Sequence, residues 1–219
     1  MAMRRKPREE ARKARNEVYR EHIVEAAERV FADRGFETAK VQEISQLAGL
    51  SMGTIYAIFP GKIELYAAVL EERAQELLAL ARTIAVRRDP PLETLHALVA
   101  VYIEYFVAHP SFLRMHLRSG ASWALVPASG SDTRAEHWND ILVLQAEIFG
   151  RGVTQGVFVD EDPVFLSRMF SAMDQVLLAE WVAAGMKAPR EELVRRLTEL
   201  VERAFCRPAV RGRVAAARR

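Results

Sequence analysis

The chain has 219 residues, half of them hydrophobic and 27% charged. That composition supplies a core, excludes disorder by composition, and at roughly 150 residues per domain allows one or two domains. Eleven Gly and nine Pro exclude collagen-like and turn-rich all-β architectures, and the single Cys206 excludes an internal disulfide framework. A formal net charge of +2 names no partner by itself, and no uncharged apolar run reaches the ~18 residues of a bilayer span. The charged opening MAMRRKPREEARKAR is followed by no apolar signal core. The expectation is a soluble cytoplasmic protein with no membrane partner.

The ends are basic. Arg4, Arg5, Lys6, Arg8, Arg12, Lys13 and Arg15 outnumber Glu9 and Glu10, and no acid follows Glu202. Residues 1–17 and 207–219 read as solvated basic tails, the first with equal claim to a phosphate backbone. Between them the apolar spacing is helical. Tyr19, Ile23, Ala26, Ala27, Val30 and Phe31 form one stripe, and Gly35 stands where a left-handed residue ends a helix. Short pieces follow at Val41–Ala48 and Met52–Phe59, then Pro60-Gly61, then a long helix from Lys62 to about Val86. Further helices are expected over Leu92–Ala108, from Pro110 to about Ser119, from Thr133 to Phe149 or beyond, from Pro163 to about Ala184, and from Pro189. Ser119–Ser131 reads as a loop, the Thr133–Glu136 spacing as a capping box, and Asp162 as the N-cap before Pro163. Gly150, Gly152 and Gly156 are expected to loosen the chain, and Val157–Val159 is too short to count as a strand. The fold class is all-α with about nine helices.

Function concentrates in VQEISQLAGLSMGTIYAIF, residues 41–59. A helix-turn-helix needs two short helices crossing steeply through a tight turn, and Gly49 supplies the turn. Ser45 and Ala48 are small enough for the crossing. Ile44, Leu47, Leu50, Ile55 and Ile58 have the offsets to lock both helices to a third. Ser51 is placed to cap the second helix. That helix then presents Met52, Gly53, Thr54, Tyr56 and Ala57 outward near its N-terminus, the end suited to a major groove. Phe59 reads as core.

This window resembles the TetR family of transcriptional regulators. The resemblance runs from Ile23 to Leu65 and rests on the pattern A-G-(V/L)-S-x-G-T-(L/I)-Y-x-x-F-x-x-K, met here by Ala48 to Lys62. It implies a head over residues 18–62 and a ligand-binding and dimerisation domain over 63–206. It also implies that the Tyr56 hydroxyl and the Lys62 ammonium contact backbone phosphates, that Thr54 and Gly53 line the groove wall, and that Met52 faces bases. Lys40 stands where the family has Thr or Ser; it cannot cap, but its charge can reach a phosphate, with Thr38 left to share the capping. Ala57 and Met52 can read thymine methyls.

The second domain is expected to hold an unknown small-molecule effector. Its candidate lining is Tyr102, Phe106, Phe112, Met115, His116, Trp123, Trp138, Met169 and Met173, large polarizable groups of the kind that line apolar pockets. The last two long helices are expected to pair with a second subunit, so that two recognition helices meet a palindromic operator in double-stranded DNA about 34 Å apart. The competing reading is a helical small-molecule-binding or protein-interaction module without sequence-specific DNA binding. No nucleophile elbow, P-loop or dinucleotide fingerprint occurs, and His22, His96, His109, His116 and His137 lack i, i+4 metal spacing. No catalytic residue, metal or cofactor is therefore expected, and Cys206 reads as an inert thiol.

Overall fold

The computed structural model describes residues 6–120, 122, 124 and 133–217, with the backbone alone at 6–8, 133–137 and 214–217. Ten helices occur among the described residues: α1 (Lys6–Arg34), α2 (Val41–Ala48), α3 (Met52–Ile58), α4 (Lys62–Ala85), α5 (Pro91–Ala108), α6 (Pro110–Arg118), α7 (Thr133–Thr154), α8 (Pro163–Ala183), α9 (Arg190–Phe205) and α10 (Pro208–Ala217). The all-α expectation holds. Both stretches read as tails are largely helical: α1 opens at Lys6 rather than near residue 18, and α10 follows the helix expected to be last. From Glu9 to Val18 every α1 residue is exposed, so this part carries no apolar stripe that the spacing rules can detect.

α1, α2 and α3 form the head. Ile23, Ala27 and Phe31 of α1, Ile44 of α2 and Ile55 of α3 are fully buried together, and Phe59 joins them. Burying such a side chain contributes roughly 1.5–3 kcal/mol each. Leu47 is the exception to the predicted lock: it is 50% exposed, because the lock at this turn of α2 falls on Ile44 and the partly buried Ala48.

Head and body share α4 and α1. Phe31, Phe36 and Tyr66 pack edge-on, with both contacts to Tyr66 at 5.0 Å between ring centroids. Arg73 of α4 reaches Glu28 of α1 at 2.7 Å and Glu76 at 2.8 Å. The Tyr105 hydroxyl donates at that junction, 2.8 Å from Glu76 Oε2 and 2.9 Å from the Arg73 carbonyl oxygen. Burial works against charge on Arg73, yet its bonds to Glu76 and Glu28 prevail and raise its pKa. Asp33 at the end of α1 meets α6: Arg118 donates to its carbonyl at 2.9 Å and Arg114 sits 3.6 Å from its carboxylate.

In the body, α5 packs against α4, α6, α7 and α9. It is long and apolar enough to cross a membrane by length and composition, but half of that window is buried inside the protein, including Leu95, Leu98, Val99, Tyr102, Ile103 and Phe106. Asp162 caps α8 by accepting from the Phe165 N–H at 3.1 Å, as its place before Pro163 requires. Gly150 and Gly152 do not loosen the chain; both lie inside α7. A Cβ on Gly152 would lie 2.0 Å from the Phe158 ring, so glycine is there for close approach. Phe158 in turn forms an isolated antiparallel bridge with Cys206, and the flanking bonds tie the α7–α8 link to the end of α9.

Candidate nucleic-acid interface

Each cap in the head has a sequence cause. Gly35 (φ +77°) ends α1 and Gly49 (φ +67°) ends α2, both in the left-handed region that favours glycine. The buried Ser45 hydroxyl donates to the Leu50 carbonyl at 2.6 Å, closing the turn from inside. Ser51 Oγ accepts from the Thr54 N–H at 3.1 Å and lies 2.9 Å from the Thr54 hydroxyl. Ser51 therefore caps α3, as its position after the turn implies, and Thr54 is partly occupied in that cap.

α3 lies on the surface. Ile55 is its one buried residue, and Ile58 is half-buried beneath it. Ser51, Gly53, Tyr56 and Ala57 are exposed, Tyr56 at 49%, while Met52 and Thr54 are partly exposed. These residues make one continuous outward edge with the N-terminus of α3 at its head. Lys40 is exposed beside the start of α2, where it makes no side-chain cap. Glu43 reaches back to the Lys40 N–H at 3.4 Å instead. Thr38 does not share that capping: its hydroxyl donates to the Arg34 carbonyl and closes α1.

Lys62 makes contacts within the head that its spacing does not announce. Its ammonium donates to the carbonyls of Phe36, Glu37 and Ala39 at 2.7, 3.1 and 3.2 Å and stands 4.6 Å from the centre of the Phe36 ring. An ammonium has three protons, and all three have acceptors inside the head. Lys62 thus latches the first residue of α4 to the α1–α2 turn, and no proton remains for a phosphate in this arrangement.

The expected effector lining divides. Tyr102, Phe106 and Trp138 border a cavity of about 10 Å³ in the body, with Gln145, Ser171 and Asp174. Phe112 and His116 belong to the α6 core; the His116 ring lies 5.5 Å from that of Trp138, and burial lowers its pKa to about 4, so it is neutral. Met115 instead borders a cleft of about 640 Å³ between head and α6, with Phe31, Phe36, Tyr66 and Arg118. Met173 is half-buried, and Met169 is 39% exposed on the outer face of α8 because its place on the helix points away from α7. Trp123 lies outside the described residues. Burial, with the Glu202 charge behind it, pushes the Cys206 thiol up to about 11, in keeping with an inert group.

The polar members of the cavity went unread in the sequence. Ser171 Oγ donates to Gln145 Oε1 at 3.0 Å, and Gln145 Nε2 donates to the Tyr102 hydroxyl at 3.3 Å. Asp174 is fully buried, Oδ1 has no hydrogen-bond partner, and burial pushes its pKa up to about 8. The signal available for it was a lone acid in the otherwise uncharged stretch from Phe170 to Leu178.

A tri-helical head with a capped, outward third helix defines a helix-turn-helix DNA-binding protein. The comparisons place it further. Residues 23–69 match the family model described as bacterial regulatory proteins, tetR family. The chain is 28% identical over 142 residues to the HTH-type transcriptional repressor NicS of Pseudomonas putida, covering 65% of this chain and 66% of that one. It is 29% identical over 150 residues to the HTH-type transcriptional repressor SCO4008 of Streptomyces coelicolor, covering 68% and 74%. The fold resembles that of the transcriptional regulator FadR from Bacillus subtilis, solved in complex with stearoyl-CoA, with a TM-score of 0.69 at 18% identity over 82% of this chain and 96% of that one. Residues 23–69 therefore carry a TetR-family head, and the relatives named are transcriptional regulators. These findings support a transcriptional regulator.

Proposed function

We propose that the protein is a cytoplasmic, homodimeric, effector-responsive repressor of a palindromic operator. α3 enters the major groove, with Met52 and Ala57 against base edges, Gly53 and Thr54 along the groove wall, and the exposed Tyr56 hydroxyl and Lys40 ammonium at phosphates. Lys62 holds the head together rather than gripping DNA. The observation that carries this reading is the outward edge of α3, anchored through Ile55 alone and capped by Ser51.

The second subunit meets α8. Phe165, Met169, Met173 and Val176 follow one line at helical spacing, with Val164 beside them, and Phe165 and Val176 are 50% and 61% exposed. Such a row is what an isologous interface buries. α9 contributes less than expected: Leu193, Leu197, Val201 and Phe205 are buried within the chain, and its outer side carries Arg195, Arg196 and Arg203.

The effector acts through the junction of α1, α4 and α6. α4 runs unbroken from the Lys62 latch to the cavity wall at Leu77, so a ligand that favours one tilt of α4 shifts the spacing of the two heads. The full-length protein, offered random duplexes at low salt, should enrich an inverted repeat and bind it as a dimer by light scattering. Recovery of no inverted repeat, with a stable dimer in solution, refutes the operator reading and favours a helical binding module.

A further inference from the structure

We propose that the cavity between α5, α7 and α8 is a subsite for the cationic nitrogen of an amine effector, paired with Asp174. This rests on the reading of the body as an effector-binding domain and adds the chemical class of the ligand. The first observation is the unmet oxygen: Asp174 is buried, and its Oδ1 has no hydrogen-bond partner. Buried carboxylates ordinarily pair with a cation or a cluster of donors. Among the described residues that line this cavity none is Lys, Arg or His. No described lining residue supplies a cationic partner, and a bound amine would.

The second observation is how the other polar groups face. The Ser171-to-Gln145-to-Tyr102 chain fixes the Gln145 carboxamide, its carbonyl toward Ser171 and its NH₂ toward Tyr102. The Gln145 carbonyl keeps a second lone pair, so the site offers acceptors to a donor-rich group. The rings of Tyr102, Phe106 and Trp138 complete the wall, and aromatic faces attract cations. An anion would meet Asp174 unfavourably, and an uncharged group would form no ion pair with it.

Size gives the third. About 10 Å³ holds one water-sized group, which an ammonium matches. The remainder of a larger molecule has to displace the half-buried Trp138 at the rim. A cation in place would draw Asp174, which burial now favours as the neutral acid, into its ionised form.

The test titrates the full-length protein with 2-phenylethylamine, 2-phenylethanol and 3-phenylpropanoate, read by calorimetry and tryptophan fluorescence. The amine should bind about ten- to a hundredfold more tightly than the alcohol, and the propanoate should not bind. Asp174→Asn, close to isosteric, should bring the amine to the level of the alcohol; the comparison of the three probes on the wild type stands without any variant. Equal binding of amine and alcohol, or no binding of the amine, overturns the cationic subsite and leaves the cavity to a buried water. A selected operator duplex is added as a separate arm. Amine that binds through Asp174 without releasing DNA upholds the subsite and refutes the effector reading instead.

Discussion

Replacing Lys62 by Met removes the ammonium and keeps most of the aliphatic stem. The structure gives this ammonium three carbonyl acceptors within 3.2 Å and one aromatic face. A hydrogen bond to a charged group contributes about 1.5–3 kcal/mol net, and a partly exposed cation over a ring about 0.5–1 kcal/mol. The three bonds do not add, because the freed carbonyls of this partly exposed turn regain water. A loss of about 2–3 kcal/mol follows, or roughly 4–12 °C in Tm for a domain of this size. Differential scanning fluorimetry measures that loss, and fluorescence anisotropy on the selected duplex, repeated across salt concentrations, measures the DNA side. A phosphate contact would behave differently: the slope of log K against log salt would fall by about 0.9 per subunit, with Tm unchanged. A Tm held within about 1 °C together with a reduced salt slope refutes the latch.

Three further outcomes are expected. Ser51→Ala deletes the α3 cap and should cost about 1 kcal/mol in urea unfolding, with weaker operator binding; unchanged stability would remove Ser51 from the capping role. Gly152→Ala drives a Cβ into the Phe158 ring and should cost about 1–3 kcal/mol, with hydrogen exchange accelerating at the Phe158–Cys206 bridge; an unchanged midpoint would contradict the close approach. Asp174 has its carboxyl raised from 3.8 to about 8, so the folded state favours the neutral acid and stability falls as pH rises through that window, by at most about 4 kcal/mol at pH 7. Asp174→Asn should therefore be more stable than wild type, with a margin that widens from pH 5 to pH 8; a margin independent of pH refutes the buried, unpaired acid.

The caps and most of the core of the head were legible because their signals are local. Gly35 and Gly49 end helices by backbone preference, Ser51 caps by a contact three residues away, and the offsets of Ile44 and Ile55 follow from one period. The tails were misread because Glu9–Val18 has no buried face to mark it. The carbonyl partners of Lys62 went unread for a different reason: they lie 23 to 26 residues upstream, and no spacing rule connects them.

The sequence alone determined an all-α chain, the boundaries of its central helices and a capped recognition helix, since each depends on neighbours within a turn or two. Tertiary structure alone decided what long-range packing controls. It turned Lys62 inward, left Met169 outside, used up the apolar side of α9 within the chain, and closed an acid of α8 into a cavity walled by three other helices. Helix periodicity states which side of a helix is apolar, but only the packed fold states what lies opposite.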